Sequence, residues 1–362
     1  MLSYQNLNGY YTNEIVFPGH PDKICDQISD AILDSILEED HNAHAGIEVL
    51  GGKNLIVVTG EVKSAQSKQI LVKDIVNSVL TDYEYNIKDY EIINNIGVQS
   101  DNIDIGVKKG GAGDQGMMFG FACNETTEKL PIAMVILQKL ALFYETLRKN
   151  FTYLRSDGKA QITGLYKNGK LIEITDFVIS YQNDENPRQR RVMDDVLKSF
   201  CESISPVSIR KFHINPTGEF YIGGFNADAG LTGRKIVVDN YQGFYNVGGG
   251  AFSGKDPSKV DRSAAYMARC LAKNIVEQTG VDWCGIQVSY AIGEELPLNI
   301  TIQTNKGEYP YVLPEYLFTP NNITNFLNLR SSNKNFSYRQ TAKYGHFGNN
   351  IFPWENKKID LS

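Results

Sequence analysis

Two strand-like runs, Gln161–Leu165 and Leu171–Tyr181, are joined across Asn168-Gly169. Asn-Gly between alternating apolar runs is the strongest short signal for a two-residue hairpin, because both central residues must take positive φ. A hairpin makes its strands antiparallel neighbours. Other strand-like runs fall at Leu55–Val62, Glu91–Val98, Phe220–Gly224, Lys235–Asp239, Gly285–Ile292 and Asn299–Thr304. Helical periodicity separates these sets, at Lys23–Glu39, Ser67–Leu80, Ile132–Lys149, Gln189–Ser203, Val260–Gln278 and Ile323–Leu329. That order fits a doubly wound parallel sheet poorly and predicts an α+β fold with mixed or antiparallel sheets. Breaks near Gly110 and Gly233 suggest an N-terminal domain at 1–110, a central one at 111–233 and a C-terminal one at 234–362, with segments free to interleave.

In the first helix Ile24, Ile28, Ile32 and Ile36 make an apolar face. Asp22, Asp26, Asp30 and Asp34 repeat at a spacing of four on another face. A solvated acidic face is the expectation for Asp26, Asp30 and Asp34. Asp22 and Asp261 each fall in the first turn of a helix, where a carboxylate complements the dipole. Each also lies among lysines, where it could bridge Mg²⁺ to phosphate oxygens.

Two glycine-rich segments suit anions, Gly111–Gly116 and Gly248–Asp256. Glycine lets backbone N–H groups converge on a phosphate with no Cβ in the way. Gly249, Gly254 and Lys255 nearly spell a phosphate-binding G-x-x-x-x-G-K loop, yet Asp256 stands where Ser or Thr is needed. Asp256-Pro257 also interrupts the passage into the next helix. A P-loop-like NTPase is therefore a competing reading. Gly233-Arg234-Lys235 beyond Asp228, Asp157-Gly158-Lys159, and the pair Lys255 and Lys259 concentrate positive charge.

The whole chain has net charge −6, which argues against a phosphate-tracking nucleic-acid binder. The cationic clusters therefore point to a small polyanion such as a polyphosphate. Five cysteines with no C-x-x-C pair argue against a disulfide framework or a zinc knuckle. Met1–Glu14 has neither a basic start nor an apolar run, so no secretory signal is expected. The longest apolar stretch, Leu130–Leu137, is too short to span a bilayer. A cytoplasmic protein without membrane or nucleic-acid partners is expected.

The two glycine-rich segments resemble the signature motifs of the S-adenosylmethionine synthetase (methionine adenosyltransferase) family. His20–Asp30, Asp228–Asp239, Lys259–Tyr266, Gln287–Gly293 and Tyr344–Glu355 also match family segments, in order, so the likeness runs over nearly the whole chain. The resemblance implies three similar α/β domains about a pseudo-threefold axis, with helices on the outer face of the sheets. It implies synthesis of S-adenosylmethionine from ATP and L-methionine, with tripolyphosphate cleaved to pyrophosphate and phosphate. It implies Mg²⁺ and K⁺ as cofactors, and a homodimer or dimer of dimers with active sites at the subunit interface. The methionine sulfur carries no proton, so no Ser–His or Cys–His constellation is needed.

Position by position, the resemblance makes His20, Lys159, Arg234, Lys235 and Lys255 the catalytic groups around the phosphates. ATP would also meet Asp157, Phe220, Asp228 and Ala251; methionine would meet Glu61, Gln99, Asp114, Asp228 and Lys259. Asp22 and Asp261 correspond to Mg²⁺ ligands and Glu48 to the K⁺ ligand. Pro18, Asn183, Glu219 and Asn246-Val247 depart from the family pattern, and Ser100–Gly110 is shorter than the family's gating loop. A non-catalytic nucleotide-binding regulatory homologue is the remaining alternative. It is disfavoured because the metal and phosphate ligands are all retained.

Overall fold

The computed structural model describes residues 7–65, 70–98, 110–218, 220–308, 315–331 and 336–361. Among the described residues three four-stranded sheets form the framework. The first holds β1 (Gly9–Val16), β6 (Leu154–Lys167), β7 (Lys170–Asn183) and β8 (Phe212–Ile214), in that order. The second runs β4 (Glu91–Val98), β3 (Leu55–Lys63), β2 (His44–Gly52) and β9 (Gly230–Leu231). The third runs β12 (Gly307–Glu308), β11 (Asn299–Thr304), β10 (Trp283–Tyr290) and β5 (Gly116–Cys123). Pairings are antiparallel except β3 with β4 and β7 with β8. Each sheet is thus assembled from segments far apart in the chain.

The β6–β7 hairpin turns at Asn168-Gly169, whose φ values of 51° and 77° are those a two-residue turn demands. Two expected strands are not strands. Residues 220–223 are irregular backbone leading into a 3-10 turn at Gly224–Asn226, and the stretch after Lys235 is a short helix, α5 (Ile236–Asp239). Local β-branched character in Ile236-Val237-Val238 was overridden there by tertiary contacts.

Long helices cover one face of each sheet. They are α1 (Pro21–Glu39) against β2, α3 (Ile132–Asn150) against β1 and β6, and α6 (Val260–Thr279) against β5 and β10. Shorter ones are α2 (Val72–Thr81), α4 (Pro187–Ile204), α7 (Pro320–Phe326), α8 (Tyr338–Tyr344) and α9 (Pro353–Asn356). Among the described residues no helix is long and apolar enough to cross a membrane. The described cysteines are free, buried thiols.

The acidic face of α1 corrects the expectation that it is solvated. Asp26 and Asp30 are fully buried and Asp34 nearly so. Exposure on α1 is confined to its last turn, at Glu38 and Glu39. Buried carboxylates are tolerated only with partners, and each here has them. Asp26 accepts from Gly233 N (2.8 Å) and from Lys23 Nζ (3.0 Å). Asp30 is forked by Arg262, and Asp34 accepts from the backbone N–H groups of Tyr338 and Arg339. Burial pushes the Asp34 carboxyl up to about 7, against those two hydrogen bonds.

Candidate active site

The first turn of α1 begins the site. His20 caps the helix, its Nδ1 accepting from Asp22 N at 3.2 Å. That bond leaves Nε2 as the nitrogen that carries the proton in the neutral ring. Burial and Lys235 hold the imidazole down at about 4, so it is neutral near pH 7. Asp22, with no exposed surface, pairs with Lys235 and with Arg234 Nε at 3.1 Å, and accepts from Leu231 N at 2.9 Å. Lys159 and Asp228 both act electrostatically on His20 and on Asp157. Asp157 is buried, accepts from Gly224 N at 2.7 Å, and is raised by that burial. Lys159 itself is half-exposed and 3.7 Å from Glu14.

The second cluster sits on the glycine-rich segment. Lys255 Nζ lies 2.5 Å from Asp261 Oδ2. A Cβ on Gly250 would lie 2.2 Å from the Asp261 carboxyl carbon, so only glycine lets this loop pass the carboxylate. Gly254 has φ +81°, and a Cβ there would strike Ile47 O at 1.9 Å. The segment is stitched onto β2: Ile47 N donates to Gly254 O, Asp256 N donates to Ala45 O, and Gly46 bridges Lys255. Ala251 lies against Gly233, which brings the two cationic loops together.

Asp256 is an anchor. It is fully buried and accepts from Ala45 N (2.9 Å), Ser258 N (2.9 Å) and Lys259 Nζ (3.0 Å). Lys259, His44 and these donors hold its carboxyl far below the usual range despite the burial. No strand leads into the loop, since residues 240–247 form turns and irregular backbone, and α6 begins only at Val260. The strand–loop–helix context of a P-loop is therefore absent, and the NTPase reading has no structural support.

On the open face of β2 and β3, Glu48 pairs in register with Thr59, and Gly46 with Glu61. Glu61 and Lys259 meet across Gly46: a Cβ there would lie 3.0 Å from Glu61 Oε1 and 3.5 Å from Lys259 Cε. Partial desolvation raises Glu48 against the pull of Lys255. Phe220 lies beside the hairpin end, its carbonyl accepting from Asn183 N. Asp114 is exposed on the loop before β5, and its contact is with Gln115 N; that loop ends at Gly116, close to Asp261. Gln99, Glu219 and the 100–109 part of the shortened loop lie outside the described residues. Among the described residues no cluster of three or more His, Cys, Asp or Glu could hold a metal by itself. Each candidate Mg²⁺ position thus offers fewer than three such ligands, which suits Mg²⁺ when phosphate and water complete its shell.

Sequence reasoning missed Asp26, Asp30 and Arg262. A signal was present: an acidic face at the same four-residue spacing as the isoleucines leaves α1 little polar surface to expose.

The sequence matches three domain profiles of one family, S-adenosylmethionine synthetase. These are the N-terminal domain over residues 8–101, the central domain over 109–220 and the C-terminal domain over 222–356. It is similar to an S-adenosylmethionine synthase of Sulfurovum sp. (strain NBC37-1), 42% identical over 97% of this chain and 96% of that protein. It is also similar to an S-adenosylmethionine synthase of Clostridium tetani (strain Massachusetts / E88), 40% identical over 96% of each.

Proposed function

This chain belongs to the S-adenosylmethionine synthetase family and is an enzyme of S-adenosylmethionine synthesis, and from that premise we propose how its site works. The methionine sulfur attacks C5′ of ATP in line, and tripolyphosphate leaves and is then cleaved to pyrophosphate and phosphate. A neutral thioether needs no base, so the burden falls on orientation and on neutralising the leaving group. Lys159, Arg234, Lys235 and Lys255 supply positive charge, and His20 offers a neutral Nε2–H to a phosphate oxygen.

The observation that carries this reading is the pairing of Lys235 with Asp22 and Lys255 with Asp261. Each phosphate-type cation is parked on a metal-type carboxylate. When a polyphosphate enters, each ammonium turns to phosphate and frees its carboxylate. Asp22 and Asp261 would then hold Mg²⁺, which when bound supplies further charge neutralisation, and Glu48 would hold K⁺. Asp157, Phe220, Asp228 and Ala251 face ATP. Glu61, Gln99, Asp114, Asp228 and Lys259 face methionine, with Glu61 taking the ammonium.

Two of the site carboxylates, Glu48 and Glu61, lie on one face of the β2–β3 sheet. Leu50, Leu55, Ile93 and Leu231 on that face are 36–44% exposed. We propose that a second copy covers it, as homodimer or dimer of dimers, and completes the active sites.

Purified protein incubated with ATP, L-methionine, Mg²⁺ and K⁺ should yield S-adenosylmethionine, pyrophosphate and phosphate by mass spectrometry. Lys255→Ala should lower the rate about 100-fold or more, the usual loss for one preorganised electrostatic group. ADP formed without methionine would overturn the reading.

A further inference from the structure

We infer that Asp26, together with the Asp30–Arg262 pair, acts as a positioning device that sets the two phosphate-facing loops relative to one another. The inference rests on the polyphosphate reading of the site. The two loops share a construction. In each, a glycine with φ +81° immediately precedes the cations, Gly233 before Arg234-Lys235 and Gly254 before Lys255. In each, that glycine's N–H donates at 2.8 Å to a buried carboxylate of α1, Gly233 to Asp26 and Gly254 to Asp30. The carboxylates are four residues apart, about 6 Å along a helix. The helix therefore serves as a ruler between loops separated by some twenty residues of chain.

Both carboxylates are pinned from behind. Lys23 Nζ reaches Asp26 at 3.0 Å and also Asp239, the last residue of α5 that follows the first loop. Arg262 forks Asp30 at 2.7 and 2.9 Å, donates to Lys255 O at 3.1 Å, and reaches Thr341 Oγ1 at 3.1 Å. Asp30 and Arg262 thus hold the backbone on either side of Lys255, at Gly254 N and at Lys255 O. All of these side chains are buried.

Asp34 extends the same row but holds Tyr338 and Arg339, away from both loops. It is the internal control. Asp26→Ala and Arg262→Lys should lower kcat for S-adenosylmethionine about 10- to 100-fold, as expected for misplacement on the order of 1 Å, with KM for methionine nearly unchanged. Asp26→Asn, which keeps one acceptor for Gly233, should recover part of that loss. Asp34→Ala should lower Tm and leave kcat within about twofold, because its two backbone hydrogen bonds hold Tyr338 and Arg339, not a loop glycine. If Asp26→Ala does not fold, Asp26→Asn and Arg262→Lys carry the test.

Calorimetric titration with inorganic tripolyphosphate separates this inference from the reading beneath it. Asp26→Ala and Arg262→Lys should bind it at least about tenfold more weakly than the parent, while Asp34→Ala binds it normally. A parent chain that forms no S-adenosylmethionine overturns the proposed function. Variants that keep full tripolyphosphate affinity and kcat, losing only Tm as Asp34→Ala does, overturn the positioning role.

Discussion

His20 is held neutral by its burial and by Lys235, and its cap bond to Asp22 N fixes which nitrogen carries the proton. The group is depressed relative to the unfolded chain, so between about pH 4 and pH 6.5 the native state binds fewer protons than the unfolded one. Its contribution to stability is present above that window and is lost as the pH falls through it. For catalysis, His20 should add no inflection to kcat/KM between about pH 5.5 and pH 8. His20→Asn should therefore lower the rate while leaving the shape of the pH profile intact. Asp256 makes a second residue-scale case. Asp256→Ser restores the phosphate-loop consensus on paper, yet it leaves Lys259 without its buried carboxylate. Urea unfolding should show a loss of about 3–5 kcal/mol, the usual result of breaking a buried ion pair, and no ATPase should appear.

At the scale of elements, the glycine-rich loop owes its path to where it lies against β2. Gly254→Ala would push a methyl into Ile47 O and strain a left-handed backbone. The expected outcome is at least about a 100-fold fall in kcat/KM, since Lys255 moves with the loop, with a lowered Tm measured by calorimetry. The hairpin at Asn168-Gly169, α3, α6 and the first-turn positions of Asp22 and Asp261 were legible because turn chemistry and apolar periodicity are local. The short helix at Ile236–Asp239 was not, because its β-branched residues read as a strand and only packing decided otherwise. The acidic stripe of α1 misled for a related reason. Its partners, Gly233, Gly254, Arg262 and Tyr338, lie two to three hundred residues away, and no window around Asp30 contains them. The candidate metal, phosphate and methionine residues are named from the family likeness alone. Their pairing, lysine against aspartate, was not legible in the sequence.

For the whole molecule, an uncovered sheet face carrying both apolar residues and site carboxylates calls for a partner. Ile93→Lys places a charge in the row of Leu50 and Val57. The parent should run by light scattering at no less than twice its chain mass; the variant should run as a monomer and lose most product formation. Unchanged mass and activity would mean that this face is not where copies meet. The β2 strand and α1 are made early in the chain, whereas every loop they hold in the site comes from residues beyond 228. During synthesis the first third therefore leaves the ribosome with Asp30 and Asp34 still lacking their counterparts, and Asp26 with Lys23 alone. Such a segment cannot dehydrate those acids on its own. The nascent N-terminal portion should stay open until the chain has been made past Arg262 for Asp30 and past Arg339 for Asp34.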